Sequence, residues 1–207
     1  VSYAKDLQYT LNDTTALVTK YIGSETDVVV PNKIRGKNVV VGNVGENGYE
    51  VFAGNQNIVS VKFSDNVEIA NNNMSYMFVA CTNLKGVFGI PTNVISMGRA
   101  FENCFNLVNA PVIPTKVEDL SGTFANCYSL INAPVIPNNV GFMWDTFSNC
   151  ANLINAPIIP DYTSLQGTFS GCTNLINIPP LPKHLSFGPE GGIFADCISL
   201  INAPNMS

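Results

Sequence analysis

Six cysteines are the first residues in this chain whose spacing could carry chemistry. Cys81, Cys104, Cys127, Cys150, Cys172 and Cys197 follow one another at 23, 23, 23, 22 and 25 residues. Zinc would need close pairs of the C-x-x-C kind, and the sequence has none. The single histidine, His184, has Ser186 and Cys197 near it in sequence but no nucleophile signature around either. Gly42-Asn43-Val44-Gly45-Glu46-Asn47-Gly48 lacks the Lys-Ser/Thr of a phosphate loop and is expected to be a turn. Ser64-Asp65-Asn66-Val67-Glu68 fits no calcium-loop spacing. Asn12-Asp13-Thr14 and Asn73-Met74-Ser75 match the glycosylation triplet, which matters only in a eukaryotic secretory host. No catalytic residue, metal site or cofactor is expected.

The elements that position the cysteines repeat with them. A Phe stands three residues before each Cys (Phe78, Phe101, Phe124, Phe147, Phe169, Phe194) and a Leu three residues after it (Leu84, Leu107, Leu130, Leu153, Leu175, Leu200). A register this regular means one structural unit stacked on copies of itself. Units of this length rich in Leu, Asn and Cys are those of leucine-rich-repeat solenoids. Val94, Val117, Val140 and Tyr162 lie seven residues before the Phe, and Ile90, Ile113, Ile136, Ile159 and Leu181 lie nine after the Cys. These apolar columns are expected to face the shared interior, as is the Ala110, Ala133, Ala156, Ile178 column. Asn83, Asn106, Asn152 and Asn174 form one polar column and Asn109, Asn132, Asn155 and Asn177 another, placed to bond from coil to coil or to the backbone at turns. Two proline columns exclude long helices and limit strands to a few residues.

Stacking also bears on the thiols. Equivalent residues of neighbouring coils sit about 4.7–4.9 Å apart, close enough at Cα for a disulfide but with Cβ atoms slightly too distant. The expectation is therefore a free, buried thiol in each coil, acting as a small hydrophobe, with inter-coil disulfides as the alternative. Residues 1–55 show the register weakly or not at all. Leu7–Leu11 and Ala16–Tyr21 around a polar loop predict a hairpin, and Val28–Val30 and Val39–Val41 predict short strands. This stretch is expected to be a β-rich cap with the first degenerate coil, in which Phe52 and Ile58 are in phase and Asn55 takes the Cys slot; residues 56–207 form the array, continuous with the cap. The fold expected is an elongated β-rich solenoid of short strands and short helical turns behind a β-hairpin cap.

Leu130-Ile131-Asn132-Ala133-Pro134-Val135-Ile136-Pro137, closing on Thr146-Phe147-Ser148-Asn149-Cys150, resembles the BspA-type leucine-rich repeat of bacterial surface proteins. Tyr9 to Pro31 is similar to the cap that often precedes such arrays. The resemblance implies a secreted or cell-surface location and a role in adhesion or protein binding, and it brings no catalytic residues. The register is interrupted between Pro182 and Ile193. The chain opens on Val1 and stops at Ser207 with a new coil begun, so it is expected to be a fragment of a longer protein or to have an unusual end.

Composition narrows the partners. Charged residues are 12% of the chain and the net charge is −5, which argues against a nucleic-acid footprint. No apolar run reaches membrane-spanning length, so membrane insertion by this segment is not expected. A monomer that binds a protein or glycan is the expectation. One coil breaks its own columns. Three residues before the Phe the sequence has Ser75, Gly98, Ser121, Trp144 and Gln166, and five before it Asn73, Ser96, Asp119, Phe142 and Ser164. Phe142 and Trp144, two residues apart in an extended segment, share one face. Phe105 and Tyr128 likewise stand in a column of Thr82, Ala151 and Thr173. These four are the candidate binding patch; the competing reading is that Trp144 folds down and seals a neighbouring coil. Exposed aromatics fit a recognition module, whereas a passive stalk displaying another domain has no use for them.

Overall fold

The computed structural model describes residues 5–42, 50–185 and 192–201. The turn expected after Gly42 and most of the interrupted segment, Ser186 to Gly191, lie outside the described residues. Alternating apolar residues give β1 (Leu7–Leu11) and β2 (Thr15–Tyr21), paired antiparallel with a register shift between Gln8 and Tyr9. The Asn12 Oδ1 closes the turn, accepting from the amides of Thr14 and Thr15 at 2.9 and 2.7 Å. Runs of valine form β3 (Asp27–Val30) and, after β4 (Lys33–Ile34), β5 (Lys37–Val41). Then come β6 (Ser60–Phe63), β7 (Glu68–Ile69) and β8 (Gly86–Phe88). Strand β2 lies parallel to β5 and β5 to β7, while β3 lies parallel to β6 and β6 to β8. The N-terminal strands β2, β3 and β5 are thus paired in parallel with strands of the first coils.

After β7 two lines of single parallel bridges also run along the stack. One line runs Asn109, Asn132, Asn155, Asn177; the other runs Asn73, Ser96, Asp119, Phe142, Ser164. Pro111, Pro134, Pro157 and Pro179 stand two residues past the first line, where each removes the donor a longer strand would need.

Around each Phe the backbone takes a form that the repeat alone did not announce. The amides of Met77, Val79 and Cys81 bond three residues back, to the carbonyls of Met74, Tyr76 and Phe78. The amides between them, on Met74, Tyr76, Phe78 and Ala80, donate instead to Ser96, Gly98, Ala100 and Glu102 of the next coil at 2.8–3.1 Å. Alternate amides therefore close turns and bind coils. The switch requires a left-handed residue two before and two after each Phe: Tyr76 and Ala80, Arg99 and Asn103, Gly122 and Asn126, Asp145 and Asn149, Gly167 and Gly171. These short turns replace helix, and the one helix among the described residues is a single 3-10 turn, Ala70–Asn72.

Left-handed backbone costs a Cβ-bearing residue about 1–2 kcal/mol. Gly171 has φ +73, and a Cβ there would lie 2.3 Å from Asn149 Oδ1. Gly171→Ala should therefore lower the unfolding free energy by about 1–2 kcal/mol, and Ala80→Gly, at φ 58, should raise it by about 0.5–1 kcal/mol. Urea titrations of the two variants check this; changes of the same sign would refute it.

One hydrophobic core runs from Leu7 in the hairpin to Leu181. At its centre the Phe rings form a file: Phe52, Phe78, Phe101, Phe124, Phe147, Phe169 and Phe194 stack at 5.0–5.6 Å with interplanar angles of 2–9°. Val94, Val117 and Val140 are buried as expected, but Tyr162 is 71% exposed. That expectation is corrected. This coil is one residue shorter, and Ser164 bridges Phe142, so the residue missing lies between the bridge line and Thr163. Thr163 takes the buried slot, with its hydroxyl donating to Val140 O at 3.0 Å and Pro160 O at 2.8 Å.

Candidate functional site

The cysteines are interior. All six are free thiols; five are buried and Cys197 is partly so. Each Sγ lies 3.0–3.2 Å from the carbonyl oxygen of the Phe one coil earlier, running from Cys81 to Phe52 through Cys197 to Phe169. The thiol is thus a donor between coils as well as a small hydrophobe. Thr123, Thr146 and Thr168 do the same with hydroxyls at 2.7–2.9 Å. Burial pushes the Cys81 and Cys172 thiols up to about 12 and those of Cys104, Cys127 and Cys150 well above the ordinary value. Burial that holds these five thiols neutral works against the thiolate that nucleophilic attack or metal ligation requires.

The amides make ladders on the surface. Asn106 donates to Asn83, Asn174 to Asn152 and Asn177 to Asn155 at 3.1, 3.3 and 2.8 Å. A further ladder joins Asn103, Asn126 and Asn149 at 2.9 Å per step. Its members are left-handed residues, and the Asn/Gly/Asp content of that column was the sequence signal for both roles.

Phe142 and Trp144 are 49% and 45% exposed, while Met143 between them is fully buried. Their rings meet edge to face at 5.6 Å and 75°. The indole Nε1–H donates to Ser164 Oγ at 2.5 Å, which fixes the ring on the outside of the stack. Phe105 and Tyr128 are also exposed and stack on each other at 5.2 Å. No ring contact joins the two pairs, so the structure presents two aromatic pairs. Trp144 also borders a groove of about 330 Å³ that spans three coils, with Arg99 and Glu102, Asn126, and Asp145 and Asn149 around it. Arg99 and Glu102 pair at 3.2 Å.

Other exposed apolar residues carry no signal in the sequence. Val112, Val135 and Ile158 form an outer row, and Phe88 borders a cavity of about 640 Å³ beside β8. Nothing in their column distinguishes them from interior positions, because each member of the row stands directly before a buried Ile. Tyr162 stacks on His184 at 5.0 Å and 2°, a pair hidden from the sequence by the shortened coil.

The model of the BspA type leucine rich repeat region matches six copies, over residues 46–176 and 100–204. The chain belongs to this family. Among solved structures it is similar to the leucine rich repeat protein of T. pallidum, at 28% identity and a TM-score of 0.75 over 96% of this chain and 90% of that one. A leucine-rich repeat protein from Bacteroides ovatus shares the fold at 24% identity and a TM-score of 0.76, over 98% of this chain and 52% of that one. A leucine rich cell surface protein from Faecalibacterium prausnitzii is 25% identical with a TM-score of 0.58, over 84% and 52%. The chain thus matches about half the length of each of these last two. No curated protein matches the sequence. BspA-type repeats are in general non-enzymatic scaffolds for protein interaction. No helix among the described residues is long and apolar enough to cross a membrane.

Proposed function

We propose that this BspA-type chain is a secreted or cell-surface recognition module, used in adhesion, whose contact site centres on Phe142 and Trp144. One observation carries the reading. In a stack whose equivalent surface positions are Ser, Asn, Asp, Gly and Gln, one coil places two large rings outside while its interior residues keep the pattern. Packing has no need of them, and contact residues of binding sites are enriched in such rings. The Faecalibacterium relative is a cell surface protein, which supports the location.

Trp144 is the sole tryptophan, so its emission reports this spot alone. A neutral quencher should reach it readily in the native protein, and Trp144→Ser should cost about 0.5 kcal/mol of stability or slightly more, since the ring also donates to Ser164. The unaltered chain should adhere to at least one member of an immobilised panel of proteins and glycans, and the joint variant Phe142→Ser, Trp144→Ser should bind it at least ten-fold more weakly. Adhesion unchanged in that variant would leave the chain as a spacer.

A further inference from the structure

We propose that the groove beside Trp144 binds a short neutral oligosaccharide lying along the stack, with one pyranose ring on the indole face. The proposal rests on the recognition reading and gives the ligand its chemical class. A sugar ring has an apolar C–H face and a rim of hydroxyls, each able to donate and to accept. The groove has the matching composition. Trp144 is the single aromatic ring on its wall, and the remaining functional groups are amides, carboxylates, serine hydroxyls and one guanidinium. A protein anchor would favour a dry, apolar pocket, and apart from Trp144 this groove offers no large hydrophobic side chain.

The platform is also set in advance. The indole is held by Ser164 through Nε1 and by the edge contact with Phe142, and its own backbone carbonyl accepts from Gly122 N at 2.6 Å. A ring already fixed loses little rotamer freedom when a ligand covers it. Gly122 contributes by lacking a side chain. A Cβ there would lie 2.9 Å from Arg99 Cγ, so the glycine lets the arginine stem lie across the groove floor.

Charge selects against acidic sugars. Arg99 is already paired with Glu102, and Asp145 adds a carboxylate with no ion-pair partner among the described residues. The groove is therefore net negative, which repels uronic and sialic acids and leaves neutral hexoses. Length follows from the stack. Core Phe rings of successive coils lie 5.6 Å apart in this region, the same order as one pyranose in an extended chain. A groove over three coils accommodates about as many rings.

The test uses the chain as it stands, with cellotriose, maltotriose, mannotriose and triacetylchitotriose as neutral probes and sialyllactose as the acidic one. At least one neutral trisaccharide should reduce quencher access to Trp144 several-fold at saturation, and calorimetry should show its affinity at least ten-fold lower in Trp144→Ala. Asp145→Asn, a residue that tolerates the left-handed backbone at this position, should weaken the same sugar three-fold or more, whereas Tyr128→Ala should leave it unchanged. Absence of binding by every neutral probe, binding by sialyllactose alone, or binding indifferent to Trp144 would overturn the proposal. If no sugar binds yet the joint Phe142 and Trp144 variant loses adhesion, the partner is a protein and only the sugar assignment falls. If adhesion is also unchanged, the recognition reading falls with it.

Discussion

Raising the pH through 10 in the presence of reductant should unfold this protein steeply. Five thiols are buried and stay protonated in the fold to high pH, Cys81 and Cys172 up to about 12, with desolvation as the main cause. In the unfolded chain they ionise near the ordinary value of 9.0. The folded value is the raised one, so stability is complete below about pH 9 and is lost as the pH rises from there towards 12. Each such thiol removes about 1.4 kcal/mol per pH unit in that window, or about 7 kcal/mol per pH unit for the five together. Against a total of about 5–15 kcal/mol, the midpoint should fall roughly one to two pH units above 9. Tyr21, whose hydroxyl is also raised chiefly by burial, acts in the same direction. Denaturant titrations at a series of pH values, with thiolate absorbance followed in parallel, measure this. Cys127→Ser should reduce the slope by about a fifth and keep a hydroxyl facing Phe101 O. Stability flat to pH 11, or thiolates appearing before unfolding, would contradict it.

The Phe file gives the second large effect. Phe124 is fully buried and stacked on both sides, against Phe101 at 5.6 Å and 4° and Phe147 at 5.6 Å and 9°. Phe124→Ala removes a large core side chain, at about 3–5 kcal/mol, and two ring contacts worth about 0.5–1.5 kcal/mol each. Phe194, at the end of the described file and only partly buried, has one ring partner and should cost about half as much when replaced by Ala. Equilibrium unfolding of the two variants provides the comparison. Equal losses, or a loss below about 2 kcal/mol for Phe124→Ala, would mean that the rings do not act as a file.

The period of Phe, Cys and Leu made the stack legible, because burial in a solenoid imposes one residue type on one column. It could not show what the columns do besides fill space. A thiol that donates to a carbonyl and a thiol that only packs have the same spacing, so the Cys-to-Phe bonds were invisible. Left-handed positions were visible only where the chain had Asn, Asp or Gly. Tyr76, Ala80 and Arg99 take that backbone without a sequence signal, since alternating inter-coil bonds hold them there. Tyr162 departs from its expected place because counting back from Phe169 crosses a missing residue. For the candidate site, the polar columns left open whether Trp144 stood outside or sealed a coil. Phe142 and Trp144 are half exposed on either side of buried Met143, because alternation along an extended segment turns Met143 towards the interior and its two neighbours away from it. The separation of this pair from Phe105 and Tyr128 depends on how the coil bends between them, which no column records.

That missing residue has a wider meaning. Between Thr163 and Ser164 the chain is shorter than its neighbours, yet Leu165 and Phe169 are buried as if nothing had changed. The stack regains its phase within a few residues because every coil is clamped by its own lateral bonds. Inside and outside are therefore largely separately editable. A coil can lose a residue with one buried slot changing from valine to threonine, or exchange serine for tryptophan outside, while the Leu and Phe of the interior keep their places. An array of this kind can acquire a new contact surface one coil at a time, while the remaining coils preserve the frame that presents it.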